Sequence, residues 1–94
     1  MINVYKDDDL NYLHWIEKNP NGFVLNTTRP PLPEFLILHR SSCPAVYGDP
    51  EPENYWTIEC VKVCADSTGQ LSDWARDEVG GRPKACRICS PLGG

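Results

Sequence analysis

The sequence predicts an α+β domain, with a small antiparallel sheet of about three strands and two helices. Three observations predict it. Apolar residues recur at helical spacing near each end of the chain. Between them lie short runs with strand chemistry, rich in β-branched and aromatic residues. The 94 residues are 40% apolar and 23% charged, which suits one domain over residues 1–94 but only a small core.

Asp7 to Lys18 reads as a short helix. Its Asp7-Asp8-Asp9 run suits the positive end of the helix dipole, and one of the three is expected to cap it. Leu10, Leu13 and Ile16 form a stripe that Tyr12 and Trp15 widen. Asn19-Pro20-Asn21-Gly22 ends the helix, because proline cannot continue it and Asn-Gly tolerates positive φ. Phe23 to Thr28 is the first strand candidate, and Pro30-Pro31-Leu32-Pro33 a stiff connector that cannot donate to a ladder. Phe35-Leu36-Ile37-Leu38 is wholly apolar, as in a strand covered on both faces. Ser41 to Asn54, with closely spaced prolines, acids and Gly48, reads as a loop. Tyr55 to Val63 is the third strand candidate.

Ser67-Thr68-Gly69-Gln70 matches a capping box, in which a Ser side chain and a Gln three residues on satisfy the first free N–H groups. Leu71, Trp74, Ala75 and Val79 then share one helical face, and Gly80-Gly81 terminates it. Residues 1–34 thus supply a helix and a strand, and residues 35–91 the remainder of the sheet, the second helix and a cysteine-rich tail.

Charge and hydropathy narrow the function classes. No apolar run approaches the ~20 residues that span a bilayer, so no membrane partner is expected. The N-terminus is acidic and lacks an apolar signal core, which points to a cytoplasmic location. Net charge is −4 with a pI near 5.0, distributed as −2 over residues 1–34, −3 over 35–66 and +1 over 67–94. Beyond Gly80 every charged side chain is basic: Arg82, Lys84 and Arg87. That makes a basic tip on an acidic body, and a solvated loop is the commoner meaning of such a run.

The five cysteines carry the most information. An odd number without an export signal argues for reduced thiols or metal ligands over a disulfide framework. His39-x3-Cys43 directly follows a predicted strand, and Cys86-x2-Cys89 directly follows a predicted helix. Two such pairs complete the tetrahedron preferred by Zn2+, so the domain is expected to be stapled by one zinc site on His39, Cys43, Cys86 and Cys89. Arg82, Lys84 and Arg87 favour the thiolate form that binds metal. A redox Cys-x2-Cys would need a βαβ context that is missing here. His14 has no partner nearby and reads as a surface or satisfied histidine. Cys60 and Cys64, four apart on a strand, lie about 13 Å from one another and cannot share one ion. They read as core or edge residues, although one could replace His39.

This pattern resembles the N-terminal zinc-binding domain of the Ada DNA-repair protein and related Ada-like modules that begin with histidine. The matching positions are His39, Cys43, Ala75, Gly81, Arg82, Pro83, Cys86, Cys89 and Pro91, over about Phe35 to Pro91. The resemblance implies a zinc site made of one pair after a strand and one after a helix, in a domain that contacts DNA backbone. Three departures bear on it. His39 stands where Ada has the thiolate that accepts a methyl group, the segment between Cys43 and Cys86 is longer, and Lys84 and Ala85 are added before Cys86. The metal site carries over; the methyl transfer does not.

Two function classes follow. One is a DNA-binding zinc module serving a restriction, repair or mobile-element system, with Arg82, Lys84 and Arg87 on phosphates and Arg40 and Arg76 assisting. The other is a structural zinc domain that joins a protein partner or a fused catalytic domain, with Tyr5, Tyr12, Trp15, Tyr47, Tyr55 and Trp56 as candidate anchors. An enzyme is not expected: four protein ligands close the zinc shell, and no phosphate loop, nucleophile elbow or His-Glu-x-x-His is found. Glu51 and Glu53 lie in an apparent solvent loop, and a His39–Cys43 nucleophile pair would compete with the metal.

Overall fold

The computed structural model describes residues 2–47 and 56–92. Their order is β1 (Asn3–Tyr5), α1 (Asp9–Lys18), β2 (Phe23–Leu32), β3 (Phe35–Arg40), β4 (Cys60–Ala65), α2 (Thr68–Trp74) leading into a π-helical turn (Ala75–Val79), and β5 (Lys84–Ala85). The fold is α+β, with a sheet of five strands ordered β1-β4-β2-β3-β5. It corrects the expected sheet in two ways. Among the described residues there are five strands and not about three, and the sheet is mixed, because β5 runs parallel to β3 while the other neighbours are antiparallel. The two extra strands have three and two residues, too few to show a period-two pattern.

Helix α1 begins at Asp9 and not at Asp7. Asp7 has φ of 50°, outside the helical region, and forms an ion pair with Arg29 at 2.8 Å. Asp8 caps the helix, its side chain accepting from the Asn11 N–H at 3.2 Å. Tyr12 and Ile16 are the apolar residues it buries, while Leu10 faces solvent and Leu13 is half-buried. The buried Asp9 carboxylate accepts from Thr57 Oγ1 at 2.8 Å and the Trp56 N–H at 3.1 Å. Those bonds hold Trp56 and Thr57 in a turn, so β4 starts at Cys60 and runs two residues beyond Val63, where the sequence places the strand end. The Tyr55 end of that expected strand, and the Gly48–Asn54 part of the expected loop, lie outside the described residues.

Strand β2 continues to Leu32, through the proline-rich segment expected to be a connector. Its pairing with β4 ends at Thr28, and its register with β3 shifts between Thr27 and Leu32. Pro30 and Pro31, having no N–H, occupy the stretch where the ladder is interrupted.

The alternation of side chains across the strands separates two cores. Leu25, Leu36, Leu38, Val61, Val63 and Ala65 point to one face and pack under Leu71 and Ala75. Val24 and Cys64 point to the other, where Tyr12 and Ile16 of α1 join Cys43, Val46 and Cys86. Each large apolar side chain so buried contributes about 1.5–3 kcal/mol. On the second face the Tyr12 hydroxyl donates to the Val46 carbonyl at 2.5 Å, tying α1 to the turn that carries Cys43.

Helix α2 starts where the capping box places it, with the Ser67 side chain accepting from the Gln70 N–H at 3.3 Å, but only half of the box forms, since Gln70 Oε1 has no partner among the described residues. It ends at Gly80, whose φ of 78° suits glycine. Gly81 then passes so close to the β2–β3 hairpin that an added Cβ would sit 2.8 Å from Leu36 Cδ1 and 2.9 Å from Pro33 Cα. Among the described residues, no helix is long and apolar enough to cross a membrane.

Candidate metal centre

His39 is the penultimate residue of β3, opposite Val24 of β2 on the α1 face of the sheet. A turn then reverses the chain: the Cys43 N–H donates to the Arg40 carbonyl and the Val46 N–H to the Cys43 carbonyl, both at 3.0 Å. It buries Cys43 beside His39. The second pair arrives on β5. Lys84 and Ala85 pair with Ile37 and Leu38, and the next N–H, that of Cys86, donates to the Leu38 carbonyl at 2.8 Å. Cys86 is therefore delivered alongside His39 by continuation of the parallel register. Lys84 and Ala85 are the whole of β5.

The Cys86–Cys89 turn is closed by donors aimed at its sulfurs. The Ile88 N–H points to Cys86 Sγ at 3.4 Å, and the Arg40 N–H to Cys89 Sγ at 3.2 Å. Arg40 also holds the turn by its side chain, donating from Nε to the Cys89 carbonyl at 2.8 Å and from Nη2 to the Ser90 carbonyl at 2.9 Å. Its guanidinium is engaged within the centre and not extended toward solvent.

The geometry brings together one ligand atom each from His39, Cys43, Cys86 and Cys89, all within 4.8 Å of one another. Cys43 Sγ and Cys86 Sγ are 4.0 Å apart, and all five cysteines are free thiols. Two sulfurs about 2.3 Å from one tetrahedral ion would be ~3.8 Å apart, so little movement is needed to close the shell. A further observation favours a metal. His39 Nδ1 is buried without a hydrogen-bond partner among the described residues, a condition that costs about 1–3 kcal/mol in the absence of a ligand. The His39/Cys3 cluster is compatible with a metal-binding site.

The electrostatics of the ligands differ. Burial, with Lys62 nearby, holds the His39 imidazole down to about 4, so it is neutral and able to coordinate at ordinary pH. Burial pushes the Cys43 thiol up to about 12, so a metal must displace its proton. Burial also opposes ionisation of Cys86, but N–H donors from Cys89 and Ile88 and the neighbouring thiols outweigh it and lower the pKa. The backbone of its own turn thus favours the thiolate form of Cys86.

Cys60 and Cys64 are not part of the cluster. Both lie on β4, Cys64 buried under α1 and raised in pKa by that burial, Cys60 half-exposed. His14 is an exposed residue of α1, remote from the cluster in the same sense. Of the basic residues, Arg82, Lys84 and Arg87 are exposed, with no ion pair among the described residues. Arg82 lines a groove of about 660 Å³ with Ser72, Arg76, Gly80, Gly81 and Pro83. Arg76 is paired with Asp73 at 3.2 Å and Asp77 at 3.0 Å. What sequence reasoning missed at Arg40 is its acceptors, which lie 49 and 50 positions away. Its place between two metal ligands was the available signal. Comparison of the chain with protein-family models, with curated proteins and with solved structures gave no match in any of the three.

Proposed function

We propose that this chain is a structural zinc module that binds DNA through its basic tip. The observation that carries the reading is the closed donor set of His39, Cys43, Cys86 and Cys89, buried at the point where β3, the Cys43 turn and β5 meet. Three thiolates and one imidazole are a donor set that suits Zn2+, and four protein ligands leave no position for a substrate. The reading is therefore structural and not enzymatic. Support for the DNA part comes from Arg82, Lys84 and Arg87, exposed and unpaired among the described residues on the segment that carries Cys86 and Cys89. Cations fixed on a metal-rigidified loop can follow a phosphate backbone without reading bases. Arg40 and Arg76 are left out of that contact set because their guanidinium groups already have intramolecular acceptors. The Ada-like resemblance adds to this reading.

Titration of fluorescent duplex DNA with the zinc-loaded protein at several salt concentrations tests it. Binding that weakens steeply with salt, and is lost on charge reversal at Arg82 and Arg87, is the expected result. A second reading, a zinc domain that joins a protein partner, is favoured by one observation. Ile88, between the paired cysteines, is 73% exposed and Leu92 is 64% exposed. DNA titrations without a salt-dependent signal would favour that alternative.

A further inference from the structure

Lys62 lies on the same face of the sheet as the metal cluster but is not part of it. It is only 5% exposed. Lysine is almost never buried this far unless paired with an acid. Here Nζ donates to Asn26 Oδ1 at 2.7 Å, a neutral acceptor, and among the described residues no carboxylate is within ion-pair distance. Burial holds its amine below the usual lysine range, against the opposing pull of Cys60, Asp9 and Cys64; His39 also feels its charge, and Glu59 lines the same cavity. A buried ammonium whose hydrogen-bond partner among the described residues is a neutral amide is costly.

The amine is not sealed in. Lys62 and Cys60 line one cavity of about 250 Å³ with Ala45, Trp56 and Glu59. Residues two apart on a strand project to the same side, so β4 presents an amine and a thiol to one space. Drug-sized ligands occupy roughly 300–1,000 Å³, so this cavity suits something smaller. A desolvated lysine amine beside a second nucleophile is the arrangement that captures carbonyl groups.

We propose that Lys62 and Cys60 form a capture site for a small carbonyl compound, an aldehyde or a ketone, held as an imine on Lys62. The Nζ lone pair adds to the carbonyl carbon, a proton passes to the oxygen, and loss of one water leaves the C=N bond. Nothing is oxidised or reduced. The Cys60 thiol is a second nucleophile for a ligand with two electrophilic carbons. The site is independent of what the basic tip binds.

Two measurements on the intact wild-type protein and one variant test the site. Propionaldehyde with cyanoborohydride at neutral pH, followed by peptide mapping, ranks Lys62 against the exposed Lys6, Lys18 and Lys84. Lys62 is expected to be alkylated about tenfold faster or more, as a desolvated amine that lines a cavity with a second nucleophile. Equal or slower modification of Lys62 would overturn the site. The second probe is o-phthalaldehyde without added thiol, which condenses with one amine and one thiol to a fluorescent isoindole and two waters. The signal is expected in zinc-loaded protein and lost in Cys60→Ser. A signal unchanged in that variant, arising from Lys84 and the metal-site thiols, would remove Cys60 from the proposal.

Discussion

The Cys86 N–H donates to the Leu38 carbonyl at 2.8 Å, so the strand that carries His39 also sets the position of the second ligand pair. Only two residues of β5 make that connection, and they add a segment after α2 to the sheet edge beside β3. The His39/Cys3 cluster is therefore formed by tertiary structure and not by either sequence pair alone. Metal binding and folding of the C-terminal segment should be one equilibrium.

Removing a ligand tests this coupling. His39→Ala or Cys86→Ser should cost roughly 3 kcal/mol or more and lower the Tm by about 12 °C or more. Cys60→Ser, outside the cluster and half-exposed, should change stability by less than about 1 kcal/mol. Thermal unfolding with and without chelator checks both, and chelator should have no further effect on Cys86→Ser.

The pH dependence follows from the two shifted ligands. Cys43 holds its proton to about 12 in the metal-free fold, so binding at neutral pH expels it and affinity falls as pH falls. His39, held down to about 4, is already neutral and releases none. Calorimetry in buffers of different ionisation enthalpy should count about two to three protons released, all from thiols. A count of four would mean that His39 is charged before metal binds. For the metal-free fold the sign is also fixed. The folded pKa of His39 lies below its unfolded value, so its contribution is complete above about 6.5 and is lost as pH falls toward 4.

The arginines should separate by role. Arg40→Gln removes donors to the Cys89 and Ser90 carbonyls and should lower stability by about 1–3 kcal/mol and weaken metal binding. The pair Arg82→Glu and Arg87→Glu should leave stability within about 0.5 kcal/mol, abolish most DNA binding and reduce the salt slope by about two. Chemical denaturation and salt-dependent DNA titration on the same variants distinguish the roles.

Two glycines make a matched test of packing. At Gly81 an added methyl group would meet Leu36 Cδ1 at 2.8 Å and Pro33 Cα at 2.9 Å. Gly81→Ala should therefore destabilise by about 1–3 kcal/mol. At Gly69 a Cβ has nothing within 4 Å, and alanine should stabilise α2 by about 0.4–1 kcal/mol. Denaturant midpoints compare the two directly.

What could be read from the sequence was what is local. The Ser67–Gln70 cap needs only three residues of context, and the Leu71–Ala75 face only one helical turn. The two ligand pairs were legible because metal spacing is local as well. Strands β1 and β5 were not legible, since Asn3–Tyr5 and Lys84–Ala85 become strands only through partners far along the chain. The start of β4 was misjudged for the same reason, as Trp56 and Thr57 are held by Asp9. In α1 the stripe was misphased: Leu10 fits the period but faces water, while Tyr12 enters the core and finds the Val46 carbonyl. Arg40 shows the limit most clearly, because only its place between His39 and Cys43 hinted at acceptors on a distant turn.

The most direct test is X-ray absorption at the zinc edge, with metal stoichiometry, on protein purified without added metal. One zinc per chain, with three sulfurs at about 2.3 Å and one nitrogen at about 2.0–2.1 Å, is the predicted result. Protein without metal and with Cys43 and Cys86 joined by a disulfide, or a shell of four sulfurs that includes Cys60 or Cys64, would contradict it.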